Sequence, residues 1–183
     1  HCRKLSSARV SHDREEFRQY LSRLPLGSEI ALEAGNCWYW IADEFEALGR
    51  RPRLAQPFEA KKRMGRTNKT DQLDAEGLAI LLRNGSLPEV WIPPGQLRDQ
   101  RELLRTRMRL RDQRTQLKNR IQSALARYGL STEGFSDVFG ASGREFLKLC
   151  AGHLPVHTAY CVEQELEVIV YLDAMLSQLE ERI

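Results

Sequence analysis

The chain has no apolar run long enough to span a bilayer, which excludes a helical membrane protein over these residues. No signal peptide is visible at the opening His1-Cys2-Arg3-Lys4, and none is expected. Cysteine is sparse: Cys2, Cys37, Cys150 and Cys161 have no disulfide-framework spacing and are expected as reduced thiols in a cytosolic protein. Glycine-rich phosphate loops and a Ser/His/Asp hydrolase pattern are absent, which removes the common nucleotide-binding and serine-hydrolase readings. The opening lacks a start methionine, and the last apolar repeat runs to Ile183 without a cap, so the chain is expected to be clipped at both ends.

What is present is charge, unevenly placed. The net charge is only +3, but residues 98–128 carry ten Arg/Lys against Asp99, Glu102 and Asp112. Residues 162–183 carry six acids against Arg182 alone. That asymmetry fits one helix facing a polyanion while the other packs against it; the plainer reading is two solvated helix faces. A chain of 183 residues holds one ordinary domain, or a small domain with a helical appendage.

Along the chain, residues 1–10 read as a short strand or strand pair. Ser11 or Asp13 can cap a helix through Phe17, Tyr20, Leu21 and Leu24, ended by Pro25 and Gly27. Residues 28–33 read as a buried central strand, and Trp38, Ile41, Phe45 and Leu48 recur at helical spacing. Residues 51–55 predict a third strand, closed by Pro57. The order β-α-β-α-β implies a mixed or parallel sheet flanked by helices. The basic segment 61–69 lacks an apolar period and reads as a partly ordered loop over the active face. Residues 71–83 read as a helix stopped by Gly85, and Val90-Trp91-Ile92-Pro93-Pro94 as an extended segment and boundary. Beyond it, Leu103, Leu110, Leu117, Ile121 and Ala124 mark one long helix over 97–128. A connector, a short helix over 144–150 and a final helix from about Val156 follow. Its stripe of Ile169, Leu172, Leu176, Leu179 and Ile183 predicts a helical hairpin, acidic against basic.

Asp71 and Asp74 stand at i and i+3, so their carboxylates share one helix face with Cβ atoms about 5–6 Å apart. Like charges that close raise each other's proton affinity unless a cation lies between them. Magnesium suits such a site because it takes hard oxygen ligands and keeps waters that substrate phosphate can displace. Glu33, closing the run Ile30-Ala31-Leu32, lies where an open α/β sheet places its ligands. Two metal ions sharing these groups would activate a nucleophile and stabilise a leaving oxygen. The competing reading is that Thr70 or Asp71 caps the helix and the acids complement its dipole.

Leu32-Glu33-Ala34-Gly35, Lys69-Thr70-Asp71-Gln72-Leu73-Asp74-Ala75, Leu81-Leu82-Arg83-Asn84-Gly85 and Val90-Trp91-Ile92-Pro93 occur in that order. Leu103-Leu104-Arg105, Arg111, Arg114-Thr115 and Lys118-Asn119-Arg120-Ile121 follow. Together they resemble the N-terminal half of the insertion-sequence-110 family of transposases, the DEDD recombinases, over nearly the whole chain. The resemblance implies an RNase H-like (RuvC-like) α/β domain over 1–93, lacking its first strand. A helical coiled-coil, dimerising region over 97–183 would follow. By motif, Glu33, Asp71 and Asp74 would be the second, third and fourth members of the family's acidic tetrad. No Asp precedes Asp13, which falls in a helix-like stretch, so the first member is expected outside these residues.

The same resemblance implies DNA cutting and rejoining with Mg2+ (or Mn2+), and a serine nucleophile from a C-terminal domain beyond Ile183. It also implies a structured non-coding guide RNA, homo-oligomerisation and a prokaryotic, nucleoid-associated cytosolic location. Lys61, Lys62, Arg63, Arg66, Lys69, Arg105, Arg111, Arg114, Lys118 and Arg120 become candidate phosphate contacts, giving salt-dependent affinity with little sequence reading. For any one of the arginines the plainer reading is a solvated helix position.

Cys150, His153, His157 and Cys161 are zinc-capable types, but Pro155 interrupts them and core packing suits the cysteines better. Trp38, Tyr39 and Trp40 could stack on bases, yet helical spacing assigns Trp38 with Ile41 or Phe45 to a core. The alternative function is a non-catalytic, dimerising RNA- or DNA-binding scaffold in which Asp71 and Asp74 only start a helix.

Overall fold

The computed structural model describes residues 6–65, 71–135 and 137–183, with the backbone alone at Asp71 and Gln72. The chain divides into two compact units, His1–Gly95 and Gln96–Ile183.

The first unit is α/β. Helix α1 (Arg14–Ser22) starts at Asp13, whose Oδ1 accepts the Glu16 amide at 2.8 Å. Helix α2 (Trp38–Ala47) presents Phe45 to α1, where Phe17 meets Phe45 and Trp40 edge-on at 5.4 Å each. Beside these rings the Glu44 side chain is buried, and both Arg14 and Arg18 donate to it, Arg18 Nε at 2.6 Å. Arg50 then donates to the Leu21 and Leu24 carbonyls at 3.2 and 2.8 Å, placing a cation at the C-terminal end of α1.

Strands β1 (Ile30–Glu33) and β2 (Pro52–Ala55) pair in parallel, with α2 as the crossover and Glu33 opposite Ala55. Strand β3 (Glu89–Val90) joins β2 antiparallel, giving a mixed sheet in the order β1-β2-β3. Helices α3 (Pro57–Met64) and α4 (Asp71–Arg83) fill the connection. Leu78, Leu81 and Leu82 of α4 pack with Ala55, Ala60 and Leu87, and Ala31 of β1 joins that cluster. Small residues let the elements approach: a Cβ on Gly77 would lie 2.5 Å from the Met64 sulfur of α3.

Three expectations change here. Residues 6–10 form no strand, and residues 1–5 lie outside the described residues. Strand β1 is consequently an edge of the described sheet, not its centre. The basic run is not a loop through residue 64. Gln56 caps α3, Pro57 occupies its first turn with φ already suited to a helix, and Gly65 ends it at φ 62°. Lys61, Lys62 and Arg63 form its last turn, where cations complement the helix dipole.

The second unit is all helix: α5 (Gly95–Arg127), α6 (Ala141–Ala151) and α7 (Val156–Arg182). Ile121 and Leu125 of α5, Leu147 of α6, and Val162, Leu166 and Ile169 of α7 share one core with Val138 and Phe139. Helices α5 and α7 run antiparallel, since Arg107 pairs with Glu180 and Arg114 with Asp173. Gly143 lets the first turn of α6 close over the Val138 carbonyl, where any Cβ would collide with backbone.

The hydrogen bonds from Arg18, then Arg14, hold the Glu44 carboxyl below its ordinary value of 4.5. A depressed acid stabilises the fold fully above that ordinary value and loses the contribution as pH falls below it and through the lowered folded-state value. All three tryptophans, Trp38, Trp40 and Trp91, lie in the first unit, so their fluorescence reports its unfolding. In melts from about pH 7 to about pH 3, the advantage of wild type over Glu44→Gln should shrink below about pH 4.5. A gap that stays constant with pH would contradict the ionic account.

Candidate metal and nucleic-acid site

Strand β1 places Glu33 at the C-terminal end of the sheet. The Ala34 amide donates to the Ala55 carbonyl at 3.0 Å and the Gly35 amide to the Glu33 carbonyl at 2.8 Å, so the chain turns directly after the glutamate. Its side chain is exposed. Alternate strand residues share a face, so Glu33 is on the same side of the sheet as Ala31. Ala31 packs against the cluster that α4 supplies, and α4 packs against β1.

Asp74 precedes Leu78 by four residues and Leu81 by seven, so it belongs to the stripe of α4 that faces the sheet. It is half-buried. Glu33 and Asp74 therefore lie on one side of the sheet, on two elements that touch. Asp71 is the first residue of α4, and its carboxylate lies outside the described residues. Among the described residues no three His, Cys, Asp or Glu side chains form a group that could hold a metal. By donor type the Glu33 and Asp74 oxygens suit a hard divalent cation. Asp13 spends its carboxylate on the α1 cap.

The basic residues divide by environment. On α3, Lys61 and Lys62 are exposed with no ion pair among the described residues, whereas Arg63 donates to the Ser86 carbonyl at 2.7 Å and ties α3 to the end of α4. Arg66 and Lys69 lie outside the described residues. On α5, Arg114 is half-buried and donates to Asp173 at 2.7 Å; Arg144 of α6 holds the other oxygen at 2.6 Å. Lys118 lies over the Phe139 ring, 4.9 Å from its centroid. Arg105 approaches Glu102 at 3.9 Å, and Arg111 pairs with its neighbour Asp112 at 3.0 Å. Arg120 is exposed, unpaired among the described residues, and lines a groove of about 360 Å³ with Arg127, Tyr128, His157, Cys161 and Glu165.

Sequence reasoning missed His157 as a neighbour of Arg120, because their proximity depends on the register of the α5–α7 pair; Arg127, two turns after Arg120 on the same face of α5, was findable from its spacing. The zinc-capable quartet separates by environment. Cys150 is buried in the helical core, which pushes its thiol pKa up, while Cys161 is exposed on α7 and His153 bonds the Leu149 carbonyl at 3.0 Å. Trp38 is half-buried against Tyr39, and Phe45 is core.

A family model described as Transposase, for the DEDD transposases of the insertion-sequence-110 type, matches residues 2–130. The chain belongs to that transposase family, whose members cut and rejoin DNA and typically use a divalent metal. No curated protein and no solved structure matches the chain. No helix among the described residues is long and apolar enough to cross a membrane.

Arg114→Ala should cost about 1–2 kcal/mol, because it leaves Asp173 with one half-buried partner instead of two. Arg120→Ala should stay within about 0.5 kcal/mol of wild type. Urea unfolding followed by circular dichroism checks both; equal losses would contradict the division into structural and free cations.

Proposed function

We propose that the chain carries the metal-binding face of a DNA transposase and site-specific recombinase. Glu33, Asp71 and Asp74 would hold Mg2+, or Mn2+, on an RNase H-like (RuvC-like) sheet. The observation that supports this most is the packing of α4 on β1, which brings Asp74 and Glu33 to one side of the sheet in a member of a DEDD family. Bound metal would supply Lewis-acid activation of the attacking oxygen and charge neutralisation at the leaving oxygen. The chain's own carboxylates orient the ion, and Lys61, Lys62 and Arg120 bind phosphate without reading sequence.

On this reading residues 1–93 are the nuclease-type domain and 97–183 a coiled-coil region through which copies associate. A structured guide RNA supplies the sequence information, and the protein works in the prokaryotic cytosol on nucleoid DNA. The tetrad's first aspartate and the serine nucleophile are assigned to no residue of this chain. The 183-residue chain should therefore bind nucleic acid weakly and exchange no strands alone.

Asp71→Asn with Asp74→Asn tests the metal site against the scaffold alternative. Removing clustered negative charge should raise the metal-free melting temperature, while magnesium or manganese should stabilise wild type and not the double variant. Tryptophan fluorescence follows the melt. A metal-free loss of stability in the variant, with no metal response in wild type, would instead make these residues a helix start in a non-catalytic scaffold.

A further inference from the structure

Phe58, in the first turn of α3, is 70% exposed. Helix α3 buries its other side: Ala60 and Met64 pack with α4, and Arg63 bonds Ser86. Phe58, Lys61 and Lys62 stand at i, i+3 and i+4, so one face of α3 carries an exposed ring followed by two exposed ammonium groups with no ion pair among the described residues. That face begins three residues after Ala55, the register partner of Glu33, at the C-terminal end of the parallel strand pair.

From this juxtaposition we infer that Phe58 stacks on an unpaired DNA base beside the metal-binding edge, with Lys61 and Lys62 on the flanking phosphates. A ring offers a π-face to any base, and two lysines a turn later offer charge to the backbone; together they form a platform for a single strand. A duplex, whose bases are already stacked, gains only the phosphate contacts. The inference rests on the nucleic-acid reading above and adds to it a preference for unpaired DNA at this helix.

The test uses the full chain in metal-free, low-salt buffer with a short oligodeoxynucleotide carrying one 2-aminopurine, whose fluorescence falls on stacking. Wild type should quench the probe and prefer the single strand to its duplex. Phe58→Ala should weaken single-strand binding about ten-fold or more, abolish the quench and leave duplex binding and the melting temperature unchanged. Phe58→Trp should restore the quench. Lys61→Ala with Lys62→Ala should weaken both forms alike and flatten the salt dependence while sparing the quench at saturation.

Binding of both forms that is indifferent to Phe58→Ala would overturn the stacking role and leave the phosphate contacts standing. Quenching of a 2-aminopurine RNA but not of the DNA would also overturn it. Failure of wild type to bind any of these probes would remove the nucleic-acid reading itself.

Discussion

The face that α4 turns to the sheet is the constraint on which the first unit depends. Leu78, Leu81 and Leu82 lie against Ala55, Ala60 and Ala31, a layer of large side chains on small ones. Each leucine taken from water contributes about 1.5–3 kcal/mol, so three outweigh any single polar contact in this unit. The same packing fixes what lies one turn earlier on the helix. With Leu78 and Leu81 committed to the interior, Asp74 has no choice of side, and β-strand alternation commits Glu33 through Ala31. Two carboxylates reach one face because apolar neighbours hold them there, at the sheet end where the chain must turn.

The second unit resolves its charge asymmetry differently. Acidic α7 neutralises part of basic α5, and the partition follows register. Arg107 and Arg114 meet Glu180 and Asp173, while Arg120 falls opposite the start of α7, where His157, Cys161 and Glu165 leave a groove. A helix with ten cations is thus less basic toward solvent than its composition suggests. Arg120 and Arg127 line that groove, away from the stapled middle. Asp173 contributes most to that staple, since it joins α5 to α6 and α7 through two arginines.

Much of this was legible in the sequence, and the failures have physical reasons. Helix α4 and the long α5 were readable because an apolar period over many residues leaves few alternatives. The antiparallel helical pair followed from opposite charges on two apolar stripes. Helix α3 was not readable: with Ala60 and Met64 as its principal apolar contacts it has almost no stripe, and Pro57 looks the same whether it closes a strand or opens a helix. The edge position of β1 was equally hidden, because a strand's apolar run reports burial and not the number of neighbours. Pairing of Arg114 with Asp173 across 59 positions depends on helix register, which single-residue patterns do not encode. The motifs named Glu33 and Asp74 but not their relation in space; that both fall on one side of the sheet follows from the α4–β1 packing.

The most direct test of the central claim is anomalous diffraction from crystals of the chain soaked in manganese. A manganese peak is expected within coordination distance, about 2.0–2.3 Å, of carboxylate oxygens of Glu33 and Asp74. A manganese peak elsewhere on the chain, with Glu33 and Asp74 free of metal, would contradict it.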